Sequence, residues 1–475
     1  MKRRCISLLL VGMSLFVMGC PRPGKYARPQ PPVPSEWPSA DAARPDAAEA
    51  PVPADLDWER FFGDPNLRAL IQTALENNRD LRAAALNIEK FRALYRIQGA
   101  ERRPTVAASA SLDAYRVPEN LAGDGGAQTV TVYTVGLGTS SWELDFFGRI
   151  RSLESRALEQ FLASEQARAA TQVSLVAAVA YGYLSLAADR ENLEIARSTL
   201  RTQQEALELI GRTRDLGIGN DLEVRQAESQ VEAARVEIAR FAGQEDLDRN
   251  ALDLVVGAPV PEDLLPSSLE AAARLGEISA GMPSEILLRR PDILMAEHRL
   301  KGAQANIGAA RAAFFPRIAL TAAGGITSGD LGELFKPGAG TWNFMPQVSL
   351  PIFDSGSRRA QYDAAGFDRD IAVAEYERAI QTAFREVSDA LSRRGSLLAQ
   401  QQALESLVRT LEETHRLSEA RYESGIDGYL GVLVAQRELY AARQQLVSLR
   451  LARWSNRVTL YKVLGGGAKK SGDFW

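Results

Sequence analysis

The chain has 475 residues, 45% hydrophobic and 24% charged, with a formal net charge of −4. Its 56 Lys and Arg against 60 Asp and Glu leave no net field to attract phosphates, which argues against nucleic acid as the main partner. Only two His (His298 and His415) and two Cys (Cys5 and Cys20) are present, so a His-based metal site, a hydrolase triad and a disulfide framework in the body are all disfavoured.

The N-terminus reads as a secretion signal. Met1-Lys2-Arg3-Arg4 is basic, Ile6 to Met18 is an apolar run of 13 residues, and Gly19-Cys20 follows. That run is too short for a spanning helix of about 20 residues. Val17-Met18-Gly19-Cys20 resembles the bacterial lipoprotein signal, which implies cleavage before Cys20 and a covalent lipid on it, as palmitate and related acyl chains. Pro21, rather than Asp, follows the Cys, which points to the outer membrane. The predicted signal is 1–19, followed by a lipidated Cys and a Pro/Ala-rich tether over 20–55, where ten of the 22 prolines lie between Pro21 and Pro53.

The body is one unit written twice. Asp80 and Pro104 recur as Asp292 and Pro316 at a shift of 212, and Gly148, Gly217 and Gly257 recur as Gly356, Gly425 and Gly465 at a shift of 208. A period this long is a duplicated domain half and not a solenoid repeat. The predicted repeats are 56–265 and 266–465, with a tail over 466–475.

Within each repeat, a helical stretch is predicted near 67–102 and again near 283–314. Strand-like segments follow: Thr105–Tyr115, Val130–Trp142 with a change of phase near Thr134, Arg317–Ala323 and Trp342–Ile352. Segments of 9–11 residues with one apolar and one polar face fit transmembrane strands. They are predicted as β-hairpins over 104–147 and 316–354, although Pro346 and Pro351 count against a uniform last strand. Long helices come next. Gly148 to Gly217 and Gly356 to Gly425 are each 69 residues apart, roughly 100 Å if helical. Val224, Ala227, Val231, Ala234, Ile238 and Phe241 form a heptad-like seam, repeated by Val432, Ala435, Leu439, Ala442, Leu446 and Leu449. Gly217 and Gly425 mark the hairpin tips. Four strands cannot enclose a usable lumen, so their edges must pair with further copies of the chain, two or three by geometry alone.

Several runs resemble the outer membrane efflux protein family. They are Arg289-Arg290-Pro291-Asp292-Ile293 continuing through Ala305-Asn306-Ile307-Gly308 to Phe314-Phe315-Pro316, Trp142-Glu143-Leu144-Asp145 with Phe147-Gly148-Arg149, and Ala420-Arg421-Tyr422 with Gly425 and Ala435-Gln436-Arg437. The lipid signal places the chain nearer the OprM-like lipoprotein branch than the TolC branch. The resemblance implies a mostly α, TolC-like fold: a long helical barrel plus a 12-stranded β-barrel shared by a homotrimer. It implies a passive exit duct that receives small molecules from an inner-membrane pump, typically of the resistance-nodulation-division (RND) class, through a periplasmic adaptor. No cofactor is implied beyond the lipid on Cys20. It also implies a gate near the tips, for which Arg421, Tyr422, Arg437, Glu223 and Asp221 are the candidates, with Val434 standing where OprM-like relatives carry an acid.

The sequence carries no nucleophile elbow, P-loop, metal-spaced His cluster or Gly-rich dinucleotide turn, so an enzyme is not expected. A structural coiled-coil envelope lipoprotein would share the anchor and the helices but has no use for amphipathic β-hairpins. The outer component of a metal-efflux or type I secretion system is the other alternative.

Overall fold

A computed structural model describes residues 26–38, 57–120, 126–278 and 284–467. The signal over 1–19, Cys20 and most of the proposed tether and tail lie outside the described residues.

The elements in chain order are α1 (Trp58–Phe61), α2 (Pro65–Asn77), α3 (Arg79–Ala100), β1 (Ala107–Val117), β2 (Gln128–Glu143), α4 (Arg149–Asp215), α5 (Asp221–Val256), α6 (Leu269–Ala272), α7 (Pro291–Ala312), β3 (Arg317–Ser328), β4 (Gly340–Ser349), α8 (Ser357–Glu423) and α9 (Tyr429–Val463). Short 3-10 turns lie at Glu262–Leu264, Ser284–Arg289 and Leu331–Glu333. Both long helices have 67 residues, one from each repeat. Two compact units emerge, and each draws on both repeats. Among the described residues, one comprises 26–30, 89–120, 126–163 and 296–376, the other 31–38, 57–88, 164–278, 284–295 and 377–467.

The first unit contains the sheet. Its order is β1-β2-β3-β4, all antiparallel, so the two hairpins join through β2 and β3, and β1 and β4 are edges. The register sorts the side chains by face. The row Ala108–Leu137–Gly324–Trp342 and the pairs Leu112–Tyr133, Ala322–Phe344 and Ile318–Val348 share one apolar face. The row Ser109–Gly136–Gly325–Thr341 and the residues Ser111, Thr134, Thr327 and Asn343 share the other, which is polar. Leu112, Leu137, Trp342, Phe344 and Val348 are all exposed. Apolar surface laid continuously over four strands and left uncovered is the pattern of a sheet whose neighbour is not water.

Glycine sets how closely the inner strands pair. A Cβ on Gly325 would lie 2.2 Å from the Val135 carbonyl oxygen, whereas one on Gly324, facing the other side, would meet nothing within 4 Å. On the polar face, then, Gly325 and Gly138 let β2 and β3 approach more closely than a side chain would allow.

Three strand expectations are corrected. The first pairing runs without interruption from Ala107–Gly138 to Val117–Gln128, so β2 has no change of phase near Thr134. The irregularity lies between Thr139 and Trp142, where Ser141 takes φ 54°. β2 is an inner strand with apolar residues on both faces, which blurs its alternation. β3 extends to Ser328 because Gly324 and Gly325 are strand residues, not loop. β4 ends at Ser349, short of Ile352. Pro351 has no N–H for a ladder, and its carbonyl accepts from Arg358 Nη2 at 2.7 Å. Pro346 is tolerated because β4 is an edge strand.

In the same unit the strands pass to the long helices through matched turns. Asp145 accepts from the backbone N–H of Ile150 and Arg151, and Asp354 accepts from those of Gly356 and Arg358. The carboxylate of Glu143 is held by Arg149 at 2.8 Å and Arg317 at 2.7 Å.

The second unit is built on the predicted seams. Val224, Ala227, Val231, Ala234 and Phe241 are buried, as are Val432, Ala435, Leu439, Ala442 and Leu446. Leu193 and Ala196 of α4 pack on Phe241 of α5, and Val408 of α8 packs on Leu439 of α9. A core of aromatic rings lies at the far end of these helices, where fully buried Tyr461 stacks on Phe61 at 4.2 Å with Phe62 edge-on. Part of the tether segment is pinned here too: Trp37 stacks on Phe384 at 4.9 Å, and Ser284 Oγ donates to the Pro34 carbonyl.

The single helix expected over 67–102 is broken at Asn78. Its side chain accepts from the N–H of Asp80 and Leu81, capping α3, and donates to the Val255 carbonyl at 2.8 Å. The second repeat has an equivalent. Arg290, at the shift of 212 from Asn78, donates to the Val463 carbonyl at 2.8 Å, and Val463 lies 208 from Val255. Arg290 also pairs with Asp292 and Glu386.

One like-charge contact stands out between α4 and α5. Asp189 faces Asp248, whose Oδ1 accepts from Gln244 while Oδ2 is buried without a donor among the described residues. Burial, then the Asp248 carboxylate, pushes the Asp189 carboxyl up to about 7, with Glu245 adding to the effect and Arg240 opposing it. The folded chain thus holds a proton that the unfolded chain has released, and this contribution to stability is lost as pH rises toward 7. Asp189→Asn is expected to flatten the fall of Tm between pH 4 and pH 7, read by circular dichroism. Parallel curves for the two proteins would contradict the shared proton.

Candidate functional site

The two hairpin tips lie in the second unit and are built alike. After α4, Gly217 takes φ 77°, and the Ile218 N–H donates to the Thr213 carbonyl at 3.0 Å. After α8, Gly425 takes φ 68°, and the Ile426 N–H donates to the Arg421 carbonyl at 2.9 Å. Both are left-handed helix stops that glycine accommodates at least cost. Asn220 caps α5 by accepting from the Glu223 N–H.

Each tip has an Arg–Asp pair across its own turn. Arg421 Nη2 donates to Asp427 Oδ1 at 3.2 Å, and Arg214 Nη1 lies 3.6 Å from Asp221 Oδ1. The bond from Arg421 holds the Asp427 carboxyl below its usual range. Both pairs are exposed, so their net stabilisation is small. The tips are joined to one another mainly by apolar packing: Ile210 and Leu207 of α4, Val224 and Ala227 of α5, and Tyr429, Val432 and Leu433 of α9 form one cluster with Tyr422.

The Tyr422 ring lies 5.4 Å from that of Tyr429, and its hydroxyl faces Thr213 on the other hairpin. Burial, then the Glu223 carboxylate, raises the Tyr422 hydroxyl. Burial pushes Tyr429 up to about 12. Farther along, Gln444 Nε2 bridges Tyr440 Oη at 2.8 Å and Glu237 Oε2 at 3.4 Å, again linking α9 to α5.

The structure therefore gathers Tyr422 and Glu223 at the junction between hairpins. Arg421 and Asp221 are each committed to their own turn. Arg437 stands exposed two turns beyond Tyr429, away from this cluster. Val434 is exposed; the acids nearest it in sequence are Glu438, one turn on along α9, and Asp427 in the turn before it. Tyr429, Thr213 and Arg214 were not singled out by the sequence. Tyr429 falls opposite Asp221 at the 208 shift, so comparing the repeats gives no match there. No group of three or more metal-ligating side chains occurs among the described residues.

The outer membrane efflux protein family profile matches residues 70–258 and 282–466. The chain belongs to this family. It is 46% identical over 97% of its length to the toluene efflux pump outer membrane protein TtgC of Pseudomonas putida, covering 96% of that protein. It is 41% identical to the outer membrane protein OprJ of Pseudomonas aeruginosa, over 97% of this chain and 95% of that one. The solved open state of the MtrE outer membrane channel of Neisseria gonorrhoeae superposes with a TM-score of 0.85 at 37% identity, over 95% of this chain and 99% of that one. The chain is thus an outer membrane efflux channel with a TolC-like fold. The family is one of passive channels and is not an enzyme class.

Proposed function

We propose that three copies of this chain, each anchored by a lipid on Cys20, close into one duct that carries apolar organic molecules out of the cell. They are handed over by a periplasmic adaptor and an inner-membrane RND pump. The observation that carries this reading is the four-stranded sheet with an exposed apolar face and two unpaired edges, β1 and β4. Unpaired backbone in lipid costs several kcal/mol per group, roughly, so β1 of one copy must meet β4 of the next. Three copies give twelve strands, as the family resemblance implies. The names of the toluene- and antibiotic-exporting relatives favour organic cargo over metal ions. Light scattering on the detergent-solubilised protein is expected to return three chains per particle, and a monomer would contradict the reading. The intact mass is expected to begin at an acylated Cys20.

The gate is assigned to the tips, with Tyr422 as the residue that spans them. Opening must part the hairpins, which draws the Tyr422 hydroxyl away from Thr213. The Arg421–Asp427 pair stiffens the moving tip, with Asp221 and Glu223 shaping the field around it, whereas Arg437 is left for contacts with a neighbouring copy. Tyr422→Phe and Arg421→Ala are expected to raise single-channel conductance in planar bilayers, Tyr422→Phe more. Unchanged conductance in both would remove the gate from this position.

A further inference from the structure

The second unit contains a cavity of about 150 Å³ lined by Arg394, Arg453 and Arg457 around Trp454, and nothing in the channel reading uses it. The three cations come from two helices, Arg394 from α8 and the others from successive turns of α9. Among its described lining residues Glu277 is the one acid, and it is exposed.

The arginines are held in place without being neutralised. Arg457 Nε donates to the Gly276 carbonyl at 2.9 Å, Arg394 Nη1 to the Ile278 carbonyl at 3.4 Å, and Arg453 Nη1 to Gln401 Oε1 at 2.9 Å. All three acceptors are uncharged, and each guanidinium has further N–H donors to offer. Trp454 orients two of them: the guanidinium carbon of Arg453 lies 5.0 Å and that of Arg457 5.8 Å from its ring centre. Arg457 is also held below the usual arginine range, first by burial and then by Arg394 and Arg453, against the pull of Glu277. Three like charges brought together cost energy that neutral acceptors do not return. An anion in the cavity would return it. Planar guanidinium forks match the oxygens of phosphate, sulfate or carboxylate.

We propose that Arg394, Arg453 and Arg457 form a binding site for a small oxyanion. Free inorganic oxyanions and organic carboxylates share this chemistry, and inorganic phosphate and acetate serve as separate probes. The experiment is a thermal-shift titration of the full-length channel in detergent at constant ionic strength, with chloride as reference. Phosphate is expected to raise Tm saturably above the chloride curve. A response to acetate without one to phosphate assigns the site to carboxylates and supports the same pocket. Arg457→Gln is expected to weaken the effect about tenfold, the loss of one charge-assisted bond. Arg453→Gln, which gives up a bond to Gln401 and the contact with Trp454 in the unliganded chain, tests the same point should Arg457→Gln fold poorly. The proposal is overturned if phosphate, acetate and chloride act alike, or if both variants respond as the wild type does.

Discussion

Gly325→Leu is expected to abolish conduction, while Gly324→Ala, one residue away, is expected to leave it near wild type. Gly325 is on the polar face, where a Cβ would lie 2.2 Å from the Val135 oxygen and 2.6 Å from the Gly136 Cα. Those atoms are backbone of the paired strand and cannot swing aside. A leucine must push β3 from β2, and overpacking of this kind costs about 1–3 kcal/mol even where neighbours can shift. The sheet has a second constraint. Its outer strands must keep the register in which β1 and β4 are offered to neighbouring copies, so a local displacement spreads to the closure of the ring. Gly324 lies between Leu137 and Trp342 on the apolar face and has open space before it. Channel counts in planar bilayers and the particle mass in detergent read both variants. Equal behaviour of the two would contradict the assignment of faces.

Arg290→Ala is expected to lower stability by about 2–3 kcal/mol, below the roughly 3–5 kcal/mol for breaking a fully buried ion pair. Arg290 is 8% exposed and joins the start of α7 to α8 through Glu386 and to the end of α9 through the Val463 carbonyl. Asp292 and Glu386 can each reach water, at 40% and 38% side-chain exposure, which moderates the loss. Its counterpart in the first repeat, Asn78→Ala, removes a cap and one bond to the Val255 carbonyl and is expected to cost about 1–2 kcal/mol. Denaturant midpoints of the two variants check the order. The reverse order would mean that the Arg290 links do not hold the second repeat together.

That pair also shows where the sequence was legible and where it was not. The glycine markers and the heptad-like seams place the long helices within a residue or two of their ends, because a left-handed stop and an apolar stripe are both local signals. The break at Asn78 is harder to see. Asn77-Asn78-Arg79-Asp80 shares only its last residue with Arg289-Arg290-Pro291-Asp292, and what the two runs have in common is a carbonyl some 175 residues away. In the sheet, edge strands β1 and β4 show their alternation plainly. Inner β2 does not, and its bulge at Thr139–Trp142 depends on β3.

At the tips, sequence spacing locates Arg421, Tyr422, Glu223 and Asp221 but not their partners. Whether an arginine pairs within its own turn or across hairpins is decided by side-chain direction, which a one-dimensional pattern does not contain. Thr213 is an ordinary helix residue until Tyr422 is folded against it.

The account rests on the sheet edges meeting those of sister copies around an open lumen, and the most direct measurement is ion conduction by the purified wild-type channel in a planar lipid bilayer. Discrete, long-lived conductance steps from particles of three chains are predicted. A bilayer that stays silent after the protein has inserted would contradict it.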